Sequence, residues 1–465
     1  MRGGITSSAV ALVAAAAAST VLFSSSSSAV PLTSDGASKN ALKHSFTSRV
    51  STSSTSPSSS SPAPASQAAI SAVGFDYVSA VQQGVSLAKN SWEYGALAQA
   101  LLEVYDPSLS VFGTSSTAFP SGKIPKESVS SVKSLSYAKP HISTNTANYA
   151  LVAGQGATGD PASLGVAAIM IGQTDSSYLT AAGKQSNHLN QVPKYANGAI
   201  SQRENIAELW ADWMYLAPPF LAYYAAQTSD TDLMKEVVTQ CTLQRQVLQL
   251  TTAAVNATSS NSSSDTFNGQ GLWQHIVGPQ SQTLGLWSTG NAWAALGMVR
   301  VLATILHWPR TSTWASSPTT LKQYIYEIFD GVISASSLSS GATGTTAIDP
   351  TNGLLRNYIV GGADGWNDVS FQWFGEAAGT AGLAAAMYRM AVLDPSLAST
   401  YVPWADNARK AIAATVEPSG IVSPTVNPYD WFSQQPYTAG SPEGQAFVAM
   451  LGAAYIDCLN AKICN

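Results

Sequence analysis

From Gly74 to Asn465 the chain reads as one helix after another with no convincing run of period-two strands, and several of these helices are apolar around most of their circumference. Ala292, Trp293, Ala294, Ala295, Leu296, Met298 and Val299 leave almost no polar face. A helix of that kind must be buried on more than one side. An inner ring of helices wrapped by an outer ring meets that demand, and a flat solenoid meets it less well. The spacing predicts helices over 76–105, 145–156, 161–173, 203–227, 231–253, 288–307, 318–336, 371–392, 404–415 and 442–460. That number lies within counting error of a barrel of six helical hairpins. The expected fold is therefore all-α, an (α/α)6 barrel or six-hairpin toroid, over residues 73–465. Start signals include Ser229-Asp230-Thr231-Asp232 before Leu233, and Ser370 before Phe371. About 390 residues exceed the usual ~100–200 per domain, yet no second shift of composition divides them.

Before the helices lie two segments of different character. Residues 1–29 carry one cation, Arg2, an apolar run from Ala9 to Phe23, and small residues at Ser27-Ser28-Ala29. That pattern reads as a secretory signal peptide, with a signal anchor as the alternative. The run is short of the ~20 residues a spanning helix needs, so no membrane span and an extracellular, secreted location are expected. Residues 30–72, rich in Ser, Pro and Thr, have too little apolar surface to offset the entropy of ordering, and read as a disordered linker of the kind that carries O-glycans. Such a linker leaves cell-wall association open.

Charge excludes one class of partner. Only 11% of residues are charged and the net charge is −5, so no basic stripe exists to neutralise a phosphate backbone, and nucleic acid is not expected. Of the three cysteines, Cys458 and Cys464 are placed to close a short C-terminal loop, leaving Cys241 as a buried thiol. No Cys/His spacing suggests zinc, and no cofactor is expected. Two sequons, at Asn256 and Asn261, fall in a polar run and agree with a secreted protein.

The strongest local signal is Asp212, the one charged residue in the thirteen-residue run from Leu209 to Leu221. A carboxylate in such surroundings is paired, neutralised, or faces a cavity. It is either a helix cap, a buried hydrogen-bonding group, or a general acid of the sort glycosidic chemistry requires. Aromatic residues gather in the loops at Trp273, Trp287, Trp366, Trp373, Tyr429 and Trp431, and Tyr94 joins them as a candidate. Aromatic faces suit the apolar faces of sugar rings and are also ordinary core filler.

Asp212, Met214-Tyr215, Ala217 and Pro219-Phe220-Leu221 together resemble a pattern of the unsaturated rhamnogalacturonyl hydrolases of glycoside hydrolase family 105, which share their barrel with the unsaturated glucuronyl hydrolases of family 88. Further segments fall in the same order: Asn197 to Arg203, Gly271-Leu272-Trp273-Gln274-His275, Leu286 to Trp293, and Glu376 to Ala381. The resemblance spans about Trp92 to Ile456. It implies that an unsaturated uronic acid at a chain end is protonated at C4 while water adds at C5, and that the resulting hemiketal opens to release the next sugar. Asp212 would be the general acid/base and Asp160 the second carboxylate, although Gly159-Asp160-Pro161 also favours a turn on local grounds. His275, Trp287, Asn291, Trp293, Tyr94, Trp273 and Trp373 would contact an oligosaccharide substrate. Asn291 and Trp293 lie two apart, roughly 200° around a helix, so Asn291 would face the cavity mouth while Trp293 packs or stacks.

The chain departs from the family where Thr289 replaces an arginine that would clamp the uronate carboxylate, and where Ser288 and Ala292 replace glycines. Arg203, Arg356, Ser288 or Thr289 would then have to hold it. Two other readings stand beside the first. One is cleavage of a saturated glycoside, with Asp160, Asp364, Asp368 or Glu376 as partner to Asp212. The other is a carbohydrate-binding protein without turnover.

Overall fold

A computed structural model of the chain describes residues 66–154, 156–251, 269–337, 346–365 and 372–465. The expected signal peptide, the linker up to residue 65, both sequons, Trp366, Asp368 and the start signal at Ser370 lie outside the described residues. The last part of the expected linker is ordered differently: Gln67–Val73 is a helix, capped by the Ser66 side chain on the amide of Ala69.

After the helix Gln67–Val73, twelve helices among the described residues build the barrel: α1 Tyr77–Leu87, α2 Ser91–Tyr105, α3 Lys133–Ala138, α4 Gly165–Gly172, α5 Ser176–Gln191, α6 Pro218–Thr228, α7 Thr231–Leu248, α8 Ser288–His307, α9 Ser316–Ser336, α10 Ala377–Leu393, α11 Ala398–Ala413 and α12 Pro442–Asn460. They form two classes. Every residue of α4 is buried, as is α8 from Ser288 to Ile305 and α10 from Ala377 to Ala391. By contrast α5, α7, α9 and α11 bury one stripe only. The all-round apolar sequences thus make the inner ring of α2, α4, α6, α8, α10 and α12, and the amphipathic ones wrap it. α12 packs against α10, α1 and α2, closing the ring by pairing the last inner helix with the first outer one. This is the (α/α)6 barrel expected from the sequence.

Differences from the expected helices have local causes. Residues 145–154 form turns rather than a helix. The helix expected over 203–227 starts only at Pro218, because the prolines at 218 and 219 have no N–H with which to continue a preceding turn. Ahead of it lie the short turn Trp213–Leu216 and a two-residue strand, β1 Leu209–Trp210, antiparallel to β2 Ile276–Val277. The helix expected from 371 begins at Ala377, where the Glu376 carboxylate caps the amides of Ala378 and Gly379. α5 was not anticipated, since its Ser, Asn and Gln content masked its stripe.

Since each inner helix is followed by an outer one running back, all six inner N-termini open at the same end of the barrel. At the other end the core holds ions: Glu103 binds Arg300 through one oxygen and Arg389 through the other, at 2.7 Å to Arg389, and Arg389 also pairs with Asp457. The Phe112 ring lies against both guanidinium groups, at 5.2 and 4.3 Å. Near the C-terminus Cys458 and Cys464 form a disulfide, and Cys241 is a buried thiol. α8 is long and apolar enough to cross a membrane by composition, but 94% of that window is buried inside the protein.

Candidate active site

The inner N-termini bring five carboxyl groups to one mouth. Glu93 stands in the first turn of α2, Asp160 before α4, Asp212 before α6, Glu376 before α10 and Glu443 in the first turn of α12. Helix N-termini carry partial positive charge, which offsets part of the repulsion among them.

Asp212 is set in place by the short β1–β2 ladder, extended by a hydrogen bond from the Ala211 amide to the His275 carbonyl at 2.9 Å. Below it the turn Trp213–Leu216 sits directly on α8. A Cβ on Gly297 would lie 2.0 Å from the Met214 carbonyl oxygen, so only glycine admits this approach. The Asp212 side chain makes no capping bond. Its Oδ2 lies 3.4 Å from His275 Nε2 without hydrogen-bond alignment, and Oδ2 and both His275 ring nitrogens have no hydrogen-bond partner. His275 is 1% exposed. Indole rings surround it, with Trp287 at 4.2 Å, Trp431 at 5.4 Å and Trp210 at 5.7 Å between centroids. The buried Tyr358 hydroxyl also lacks a partner; burial raises its pKa, and the charges of Asp212 and Asp364 add to this. Buried polar atoms are nearly always satisfied, so this concentration of unsatisfied ones marks a place where a polar ligand belongs.

Asp160 is held by Gln202, whose side-chain amide donates to Oδ1 at 2.7 Å while its carbonyl accepts from the Gly159 amide at 3.2 Å. Burial and then the Asp212 charge push the Asp160 carboxyl up to about 7, against the lowering effect of Gln202 and Arg203. A proton is therefore retained at this carboxyl close to neutrality.

The structure brings Asp212, Asp160, His275 and Trp287 together. The remaining expected residues stand differently. Asn291 is fully buried instead of facing the mouth: its side chain accepts from the Trp273 amide and donates to the carbonyls of Trp273 and Trp287, at 2.8, 3.0 and 2.9 Å. It thereby fixes the segment that leads through His275 into β2. Trp273 is fully buried, and Trp293 packs between Tyr215 and Phe447. Trp373 lies 4.7 Å from Tyr358 as second-layer packing. Tyr94, half-buried, stacks on His141 at 3.7 Å. Asp364 is exposed.

The position of the missing arginine is closed. Thr289 and Ser288 are fully buried, and their hydroxyls donate to Glu376 Oε1 at 3.0 and 2.8 Å. Burial raises the Glu376 pKa, and these hydroxyls and the two capped amides counter it. Arg356 is engaged with the carbonyls of Thr346 and Trp373 and with Asp349. Arg203 differs: its guanidinium stacks on Trp210 at 4.5 Å, pairs with Glu208 at 3.4 Å, stays 22% exposed, and influences Asp160.

Sequence reasoning missed Glu93, Trp210, Tyr358 and Glu443. Glu443 carried one signal, since Ser441-Pro442 announces a helix start and places the next residue at the barrel mouth. Among the described residues no group of three or more His, Cys, Asp or Glu is arranged to hold a metal.

Residues 161–331 match the model of Glycosyl Hydrolase Family 88, a span that includes Asp212, His275 and Asn291. A possible member of family 105 from Klebsiella pneumoniae superposes with a TM-score of 0.58 at 14% identity, over 84% of this chain and 94% of that one. A family 88 hydrolase from Bacteroides vulgatus gives 0.54 at 12% identity, over 82% and 98%. An unsaturated glucuronyl hydrolase specific for heparin gives 0.54 at 10% identity, over 86% and 100%. No curated protein matches the sequence. The chain has the helical six-hairpin glycosidase fold, and the family match makes it a glycoside hydrolase resembling families 88 and 105.

Proposed function

We propose that this chain is a secreted hydrolase of unsaturated uronyl oligosaccharides from pectin-like acidic polysaccharides, acting by vinyl-ether hydration with Asp212 as general acid/base. The observation that carries the reading is the set of unpartnered buried groups, Asp212 Oδ2, both His275 ring nitrogens and Tyr358 Oη, converging within a wall of Trp210, Trp287 and Trp431. An aromatic wall suits a sugar face, and the free polar atoms suit the oxygens at its edge.

In this reading Asp212 delivers the proton to C4 and takes one from the water that adds at C5. The C4=C5 electron pair forms the new C–H bond, and the hemiketal at C5 collapses with release of the aglycone. His275 orients Asp212 and the incoming water. Asp160, still carrying its proton near neutrality, hydrogen-bonds the substrate beside Asp212. The uronate carboxylate points to the Arg203 side: Thr289, Ser288 and Arg356 are buried and engaged, whereas Arg203, which bonds Glu208 and the Ser281 hydroxyl, keeps part of its side chain exposed.

A saturated glycoside is the second reading, favoured by Asp160 standing close enough for the Asp212 charge to raise its pKa and by the closed arginine position. The two are separated by mixing the purified protein and its Asp212→Asn variant with lyase-digested pectin oligosaccharides and following the ultraviolet absorbance of the conjugated uronate. Hydration predicts loss of absorbance with the wild type and a rate ~100- to 10,000-fold lower with the variant. Unchanged absorbance with both, across several lyase products, overturns the uronyl reading.

A further inference from the structure

Three of the five carboxyl groups at the mouth, Glu93, Glu376 and Glu443, have no part in this chemistry. Glu443 is 2% exposed, in the first turn of α12, the inner helix opposite α6 and Asp212 in the six-membered ring. The Trp92 side chain donates to its carboxylate, while Oε1 has no partner. A buried carboxyl oxygen left unsatisfied is destabilising, and a ligand hydroxyl would satisfy it. Glu376, by comparison, has both oxygens filled by amides and hydroxyls, and Glu93 by the amides of Lys89 and Asn90 and the Tyr429 hydroxyl. Glu443 alone of the three is buried and incomplete.

Resting on the reading of the site as a sugar pocket, we propose that Glu443 is a third substrate-contacting acid beside Asp212 and Asp160, its free Oε1 hydrogen-bonding a hydroxyl of the sugar ring held at Asp212. The groups facing it fix its form. Burial first, and then the charges of its neighbours Asp212, Glu93 and Glu376, all three carboxylates, hold its pKa well above the ordinary carboxyl range, against the lowering effect of the Trp92 hydrogen bond. A carboxyl in those surroundings is neutral and presents an O–H as well as an acceptor, which is the complement of a sugar hydroxyl. An anionic group would be repelled there, which turns the uronate carboxylate away from α12 and toward Arg203. Asp212 and Glu443 thus grip opposite edges of one ring.

The test is calorimetric binding to the full chain in an Asp212→Asn background, where turnover is suppressed. The probes are an unsaturated uronyl disaccharide from lyase-digested rhamnogalacturonan and its uncharged methyl ester. Glu443→Gln keeps a neutral donor and acceptor of the same shape, and its Kd is expected within about threefold of the parent. Glu443→Ala is expected to weaken both probes by ~10- to 100-fold. If the Ala variant binds as tightly as the parent, or the Gln variant as weakly as the Ala variant while giving the parent's circular dichroism spectrum, the proposal is overturned. A parent that binds neither probe overturns the uronyl reading and this proposal together. Binding by the parent with an indifferent Ala variant overturns this proposal alone.

Discussion

The Thr289 hydroxyl donates to Glu376 Oε1 across 3.0 Å, linking the first turn of α8 to the cap of α10. The same oxygen receives the Ser288 hydroxyl and the Gly379 amide, at 2.8 and 2.6 Å. Glu376 is thereby a fastener between two inner helices and not a second catalytic carboxylate. Glu376→Ala removes a cap and strands two buried hydroxyls, with an expected loss of about 2–4 kcal/mol. Glu376→Gln, which keeps an acceptor, is expected to lose less than half of that. Urea unfolding followed by tryptophan fluorescence distinguishes the two, and equal losses would show that the charge rather than the cap matters.

Asp160 gives a pH signature whose sign follows from its environment. Its carboxyl stands near pH 7 in the fold against an ordinary value of 3.8. The folded state therefore holds this proton more tightly, and stability falls as pH rises from about 3.8 to about 7, then levels off. Relative to wild type, Asp160→Asn should gain on the order of 2–4 kcal/mol between pH 3 and pH 8. If the proton also serves the reaction, wild-type kcat/KM declines above about pH 7 and the variant lacks that limb. A stability gap that does not change with pH would remove Asp160 from this role.

Arg203 is the cation left to meet a uronate, and its neighbours make the test clean. Glu208 keeps the amides of Gln280 and Ser281 and the Trp210 indole as partners when Arg203 is removed, so the loop remains anchored. Arg203→Ala should raise KM for the unsaturated uronate by ~10- to 100-fold and leave kcat within a few-fold, with little effect on the uncharged methyl ester. Arg203→Lys should recover part of the loss, less than half, because a point charge does not reproduce the planar fork. Equal effects on ester and acid would assign Arg203 a packing role on Trp210.

The inner ring was legible in the sequence because burial on all sides leaves no polar stripe: α8 was bounded at both ends from Ser288 to His307. Asp212 was legible for the same reason, as a charge in an apolar run. The rest depended on contacts between segments far apart in the chain. Asn291 looked like a mouth residue by its place in a motif, yet its partners are backbone atoms of Trp273 and Trp287. Glu443 shows no local oddity, since a glutamate in a first helical turn is ordinary. Only the closure of the ring, which sets the last inner helix across from Asp212, gives it significance.

The closed end of the barrel offers a prediction independent of substrate. Glu103 lies between Arg300 and Arg389, all three buried, with four inner helices tied through them once Asp457 is counted. A buried pair is weak evidence of net stabilisation, but removing one partner leaves charges that cannot be solvated. Glu103→Ala strands two guanidinium groups, and Asp457 remains for only one of them, so a loss of about 3–5 kcal/mol is expected. Arg300→Met/Arg389→Met with Glu103→Leu would replace the charges by apolar groups and should cost less than the single substitution. Because the network sits toward the C-terminal ends of the inner helices and meets the turn after Asp212 through the Tyr215 ring, 5.1 Å from the Arg300 guanidinium, kcat per folded molecule should stay within a few-fold of wild type at temperatures below the transition. A large fall in kcat with the fold intact would instead mean that the ionic end of the core sets the spacing of the carboxyl groups at the mouth.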